Sequence, residues 1–247
     1  MLLKDKTAVI TGSNRGIGKE ILETFSSNGA NIFACSRQTD DKFIELIESY
    51  KKKYNNQIYP IKLDLDDQED VKEASKKILS QNLNIDILVN NAGAITTSLF
   101  QMTPEKKLKE IFNTNFFAQT TFTQYILKSM IKNKKGRVLY ISSSSALDGN
   151  LGRSAYASSK SAIIAQSKVL SRELGSLNIR VNTLAPGLTN TDMMRNNTPE
   201  KNLNEAVNST SLKRVAHPKE IADVALFICS DLSSYITGQV IRVDGGM

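Results

Sequence analysis

A chain of 247 residues can bury one large core, and α/β folds of this size are commonly a single domain, so one domain over 1–247 is expected and no second. The net charge of +7 comes from scattered lysines with no aromatic-interleaved basic motif, which argues against nucleic acid as a partner. No apolar run approaches the roughly 18 residues of a membrane span, the start lacks a signal peptide's apolar core, and Cys35 and Cys229 cannot make a disulfide framework; a soluble chain in a reducing, cytoplasmic setting is expected.

Residues 7–10 are a short β-type run, followed by TGSNRGIG at 11–18 and a helical pattern through Ile21, Leu22 and Phe25. Gly12, Gly16 and Gly18 allow backbone angles and close approaches that a Cβ would block. The helix start beside Asn14, Arg15 and Ile17 aims amides at a pyrophosphate, although many α/β proteins carry such a turn for geometry alone. Residues 31–36 read as a second strand ending at Ser36 and Arg37, 43–54 as an amphipathic helix, and 58–65 as a third strand ending at Asp64 and Leu65. A helix over 71–79 and a buried strand over 85–89 lead into NNAG, Asn90 to Gly93, which could equally be ordinary turn chemistry.

Thr103 reads as the N-cap, and Pro104 as the first residue, of a long helix that carries Asn115 midway, a poor residue for a helix interior. Lys51, Lys52 and Lys53, and Lys132, Lys134 and Lys135, follow apolar-periodic segments and suit helix C-termini; attraction of anionic ligands is a secondary reading. Residues 137–141 form a buried strand, and Ser143 falls at its C-terminal end, where open parallel sheets place ligands. Tyr156 and Lys160 stand four apart on the next helix, so one face can carry a phenol with an ammonium one turn away that favours its phenolate. The same spacing occurs on many surface helices. A strand over 179–184 ends in Pro186 and Gly187, and a polar, poorly periodic stretch over about 188–212 reads as a mobile lid with Met193, Met194 and Leu203 facing substrate. His217 reads as structural, and 235–246 as the last strand.

The spacing of Ser143, Tyr156 and Lys160, the run YASSK, the TGxxxGIG loop, NNAG and the closing YITGQVIRVDGG together resemble the classical short-chain dehydrogenase/reductase family, in the family's order and over nearly the whole chain. The resemblance implies a doubly wound Rossmann-type α/β domain with a seven-stranded, mostly parallel sheet. It implies a catalytic tetrad of Asn115, Ser143, Tyr156 and Lys160, with Asn115 kinking its helix. It implies cofactor contacts from Gly12, Asn14, Arg15, Gly16, Ile17, Gly18, Ser36, Arg37, Asp64, Leu65, Asn91, Ala92, Gly93, Tyr156, Lys160, Pro186, Gly187, Thr189 and Thr191. No metal is implied.

A cation after the second strand accommodates a 2′-phosphate where an acidic residue would bind a ribose hydroxyl, so Arg37, with Arg15, points to NADP(H). Within the family the run from 185 to the final GGM is most similar to bacterial 3-oxoacyl-(acyl-carrier-protein) reductases, which implies a small-molecule or carrier-protein-bound ketone and a homotetramer. Ala94 to Thr97 lacks the basic residue and aspartate usual there, which keeps a sugar, steroid or small-alcohol dehydrogenase open. A cofactor-binding regulatory protein is the reading from another class.

Overall fold

Seven short apolar segments form one parallel sheet, and each connection between neighbours in sequence is made by helix. The computed structural model describes the backbone from Met1 to Met247 and every side chain except those of residues 200–202. In chain order the elements are β1 (Thr7–Thr11), α1 (Gly16–Ser27), β2 (Asn31–Ser36), α2 (Asp41–Tyr54), β3 (Ile58–Lys62), α3 (Gln68–Leu79) and β4 (Ile87–Asn90). There follow α4 (Glu105–Phe112), α5 (Ala118–Asn133), β5 (Gly136–Ile141), α6 (Ser145–Asp148), α7 (Ser154–Leu174), β6 (Ile179–Pro186), α8 (Asp192–Asn197), α9 (Glu200–Ser209), α10 (Pro218–Cys229) and β7 (Val240–Val243).

The strand order β3-β2-β1-β4-β5-β6-β7 reverses direction of growth between β1 and β4, and every pairing is parallel. The sheet is therefore wholly parallel rather than mostly so. A parallel sheet must be covered on both faces, which is why TAVIT, GRVLYI and IRVNTLAP are buried along their whole length instead of alternating. One core lies under α1, α2 and α10, with Phe25, Ile47 and Ile221 against the strands; the other lies under α3, α5 and α7, with Val71, Phe122 and Ile163.

Several boundaries differ from the sequence expectation for local reasons. The third strand stops at Lys62: Leu63 N–H still bonds Ser36 O, but Asp64 N–H turns to the Asp70 carboxylate. Thr103 does not cap its helix, since its hydroxyl donates back to Leu99 O; Pro104 is the extended N-cap and Glu105 the first helical residue. The long helix is interrupted over Asn113–Phe117 by a π-helical turn between α4 and α5. Residues 188–212 are not an irregular loop, because α8 and α9 form inside it, α8 under a Thr191 hydroxyl cap. The last strand is only Val240–Val243: Gly238 before it, and Gly245 and Gly246 after it, take positive φ. His217 is structural as expected, capping α10 in a reciprocal pair with Glu220.

Candidate active site

The C-terminal ends of β1, β4, β5 and β6 meet at the point where the sheet's order reverses, which is where an open parallel sheet forms a crevice. Thr11 joins two of those ends. Its hydroxyl oxygen accepts from the N–H groups of Asn91 and Ala92, both at 3.0 Å, while Asn91 Nδ2 donates to Thr11 O at 2.9 Å and Gly12 O at 3.1 Å. The asparagine after β4 thus fixes the shape of the glycine loop.

That loop fits a dinucleotide. Gly12 and Gly16 sit at φ +67° and +55°, and a Cβ on Gly18 would collide with Gly12 O. Arg15 occupies the N-cap of α1 without capping it by its side chain, so the first-turn N–H groups are left for a ligand, the arrangement that suits a pyrophosphate. At the end of β2 the Ser36 hydroxyl is buried and has no partner, an acceptor and donor waiting for one, and Arg37 beside it is exposed. Leu65 is buried, whereas Asp64 is partly exposed and its carboxylate accepts from Asp66 N–H. Asn14 is exposed and Ile17 half-buried at the loop's rim. Across the crevice, Gly187 continues β6 by donating to Val243 O, Thr189 donates to Gly187 O, and the Thr191 methyl lies against Gly16.

Asn115 is fully buried in the π-helical turn. Its Oδ1 accepts from Ala94 N–H at 2.8 Å, and its Nδ2 donates to Ala94 O at 2.9 Å and Ser159 Oγ at 3.0 Å. The wide turn is what lets a mid-helix side chain reach out to another segment's backbone. Lys160, on α7, is buried, and its Nζ donates to Ile141 O at 2.8 Å; burial lowers its pKa to about 8. A Cβ on Gly93 would lie 3.2 Å from both Asn115 Oδ1 and Lys160 Nζ, so these two groups flank the same point of the NNAG turn.

Tyr156 is buried one turn before Lys160, and burial raises the pKa of its phenol. The Ser143 hydroxyl, which also accepts from Ser145 N–H, and the Arg153 guanidinium act in the opposite direction. Lys160 is not among the groups that lower it here, its ammonium being engaged by Ile141 O. Ser143 at β5's end thus lies against Tyr156 of α7, and Asn115 of the π-helical turn lies with Lys160 of α7 about Gly93.

Three residues not singled out by sequence contribute. Gln119 Nε2 donates to Ala92 O at 2.5 Å and Ser159 links Asn115 to Tyr156 O, both recognisable only once the helices are docked. Arg153, at the N-cap of α7, looks in sequence like any surface arginine. No group of three or more His, Cys, Asp or Glu among the described residues is placed to hold a metal ion, and among those residues no helix is long and apolar enough to cross a membrane.

Residues 11–247 match the family model described as enoyl-(acyl carrier protein) reductase. The chain is 38% identical over 249 residues to the 3-oxoacyl-(acyl-carrier-protein) reductase FabG of Chlamydia trachomatis, covering 100% of this chain and 98% of that protein. It is 36% identical over 249 residues to the reductase of the same name from Thermotoga maritima, covering 100% and 99%. Among solved structures, a 7α-hydroxysteroid dehydrogenase complexed with NADH and 7-oxo glycochenodeoxycholic acid superposes with a TM-score of 0.93 at 32% identity, covering 99% of this chain and 94% of that one.

Proposed function

Because the chain belongs to the short-chain dehydrogenase/reductase family, we propose that it reduces the ketone of a 3-oxoacyl thioester carried on an acyl carrier protein, with NADPH. The observation that carries the reading is a buried phenol against a serine hydroxyl, with a buried ammonium one helical turn further on, in a protein whose glycine loop is shaped for a dinucleotide.

The Ser143 hydroxyl donates to the substrate carbonyl oxygen and holds it against Tyr156. Tyr156 Oη gives that oxygen its proton as the carbonyl carbon becomes tetrahedral, and the alcohol leaves. The reduced nicotinamide, when bound, supplies the hydride that no side chain can. Lys160, one helical turn after Tyr156, is the proton reserve for the phenol, since burial brings its pKa to about 8 rather than 10.5. Asn115 keeps the NNAG turn and α7 in register around that ammonium. Gly12, Asn14, Arg15, Gly16, Ile17 and Gly18 would hold the pyrophosphate side of NADP(H), Ser36 and Arg37 its 2′-phosphate, and Asp64 and Leu65 its adenine. Asn91, Ala92, Gly93, Pro186, Gly187, Thr189 and Thr191 would line the remainder. The exposed guanidinium of Arg37 and the unpartnered Ser36 hydroxyl are the donors that favour the phosphate-bearing cofactor.

The active form is a homotetramer. Phe117 on the π-helical turn and Val169 on α7 are 56% and 54% exposed, apolar side chains that contacts between copies along these helices would cover, and light scattering reads the mass. Phe122 and Ile164, by contrast, are buried within the protomer and have no interface to serve. Two free, buried cysteines suit a reducing cytoplasm.

Following NADPH absorbance with a 3-oxoacyl thioester on carrier protein, and with oxo-steroids and keto-sugars, tests the assignment. Turnover of the thioester at least tenfold faster than of the others is expected. The reverse order favours the steroid reading, for which the superposition on the hydroxysteroid dehydrogenase speaks.

A further inference from the structure

The described residues of the segment from α8 to α9, Asp192–Ser209, form no core of their own. No described residue from 191 to 209 is buried, and its hydrogen bonds and ion pairs are internal: Met194 N–H to Thr191, Arg195 to Asn190 and Asp192, Asn197 Nδ2 to Met193 O. Beyond it, the chain returns to the body through Ala216 against Leu188 and Asn190, and through Leu212 against Gly245. Among the described residues a single hydrogen bond joins Asp192–Ser209 to anything outside 188–216. It runs from Arg153 Nη2 to Asn197 O, at 2.7 Å.

Both ends of that bond are informative. Asn197 is the last residue of α8, and its carbonyl has no intrahelical partner, so a cation there meets an unsatisfied acceptor at the negative end of a helix. Arg153 is the N-cap of α7, three residues before Tyr156, and its cation is felt at the phenol. Its other terminal nitrogen, Nη1, is buried without a partner, so the guanidinium is held in the protein's wall rather than splayed into water. Ser98 N–H bonds Gly152 O at 2.9 Å, which fixes the turn that carries Arg153 to the loop after β4. The arginine therefore stands on a fixed support while the segment it grips has little else to hold it.

We propose that Arg153 is a positioning residue that fastens the α8–α9 lid beside Tyr156 through Asn197 O, and so sets how tightly the substrate is enclosed. This rests on reading residues 188–212 as the substrate lid. Arg153 does not touch the reacting atoms; it acts through the lid. A segment with few buried groups opens at low free energy, and one charge-assisted hydrogen bond is then a large share of what keeps it closed.

Amide hydrogen exchange on the ligand-free, full-length protein tests the fastening without reference to any substrate. In Arg153→Met, exchange across 192–209 is expected to rise about tenfold or more, the equivalent of one lost charge-assisted bond, with α7 and the sheet unchanged. Arg153→Lys, which keeps one cationic donor, is expected to recover most of the protection. With the 3-oxoacyl thioester, Arg153→Met should raise KM about tenfold, and Arg153→Lys, which keeps the cation felt at the phenol, should restore most of it. Unchanged exchange in the lid of Arg153→Met overturns the proposal, as does exchange raised equally through α7, which would make the arginine a prop of the fold. If the wild type does not reduce the thioester at all, the assigned reaction fails while the exchange data still decide the clasp.

Discussion

The Lys160 ammonium donates to the Ile141 carbonyl oxygen at 2.8 Å, which pins α7 to the last residue of β5 and leaves a cation buried in the middle of the protein. Burial lowers its pKa to about 8 from 10.5, so the unfolded chain holds that proton more tightly than the folded one. By linkage the cost to folding is present in full below about pH 8 and is relieved as pH rises toward 10.5, a difference of about 3 kcal/mol. Lys160→Met should therefore be more stable than wild type at pH 7, by about 1–2 kcal/mol once the lost bond to Ile141 is deducted, and inactive. Urea denaturation at pH 7 and pH 10.5 checks it: an advantage that does not shrink at the higher pH contradicts the account.

Tyr156→Phe should fold and bind NADPH nearly as wild type does, since only one oxygen is removed, while turnover falls by about 10² to 10⁴ as the general acid is lost. Burial, the largest influence on the phenol, keeps it protonated at neutral pH, so wild-type reduction should fail on the alkaline side as the phenol ionises. Retention of more than about a tenth of the activity would remove Tyr156 from the role, a tenth being well above what general acid loss allows.

Arg37→Ala should weaken NADPH binding by roughly 10- to 150-fold, the value of one charge-assisted hydrogen bond, and leave NADH affinity nearly unchanged. Arg15→Ala should cost less, because Arg15 sits at the N-cap of α1 inside the glycine loop rather than after β2. Titration of the two cofactors into wild type and both variants separates the shares; equal wild-type affinity for NADH and NADPH would refute the assignment.

Gly18→Ala would push a methyl into Gly12 O and Asn91 Nδ2, the two groups that shape the loop. Neither can yield without breaking the bond between them, so cofactor affinity should drop at least tenfold, in line with about 1–3 kcal/mol for a buried group left unpaired. Gly149→Ala, where a Cβ would meet nothing within 4 Å, serves as the comparison and should leave cofactor binding within about twofold, strain at its positive φ notwithstanding. Isothermal titration of the two proteins measures both; equal affinities would argue that the loop is not held as described.

What could be read along the chain was whatever depends on neighbours in sequence. The runs 7–10, 31–36 and 137–141 are strands because they are continuous apolar, β-branched segments, and Tyr156 and Lys160 share a face because helical periodicity puts them there. His217 before Pro218 reads as structural in the same local manner, whereas its capping pair with Glu220 is seen only in the fold. The family resemblance carried Asn115, since nothing local links it to Ser159 across 44 residues. Tertiary structure alone decided that Asn115 sits in a π-helical turn, that the third strand ends when Asp64 N–H finds Asp70, and that two short helices form within residues 188–212. It alone decided where the Lys160 proton stands relative to solvent, and that Arg153 meets Asn197. Periodicity records which face of a segment is buried, but hydrogen-bond partners and desolvation depend on which segments the fold brings together, and that information is spread over the whole chain.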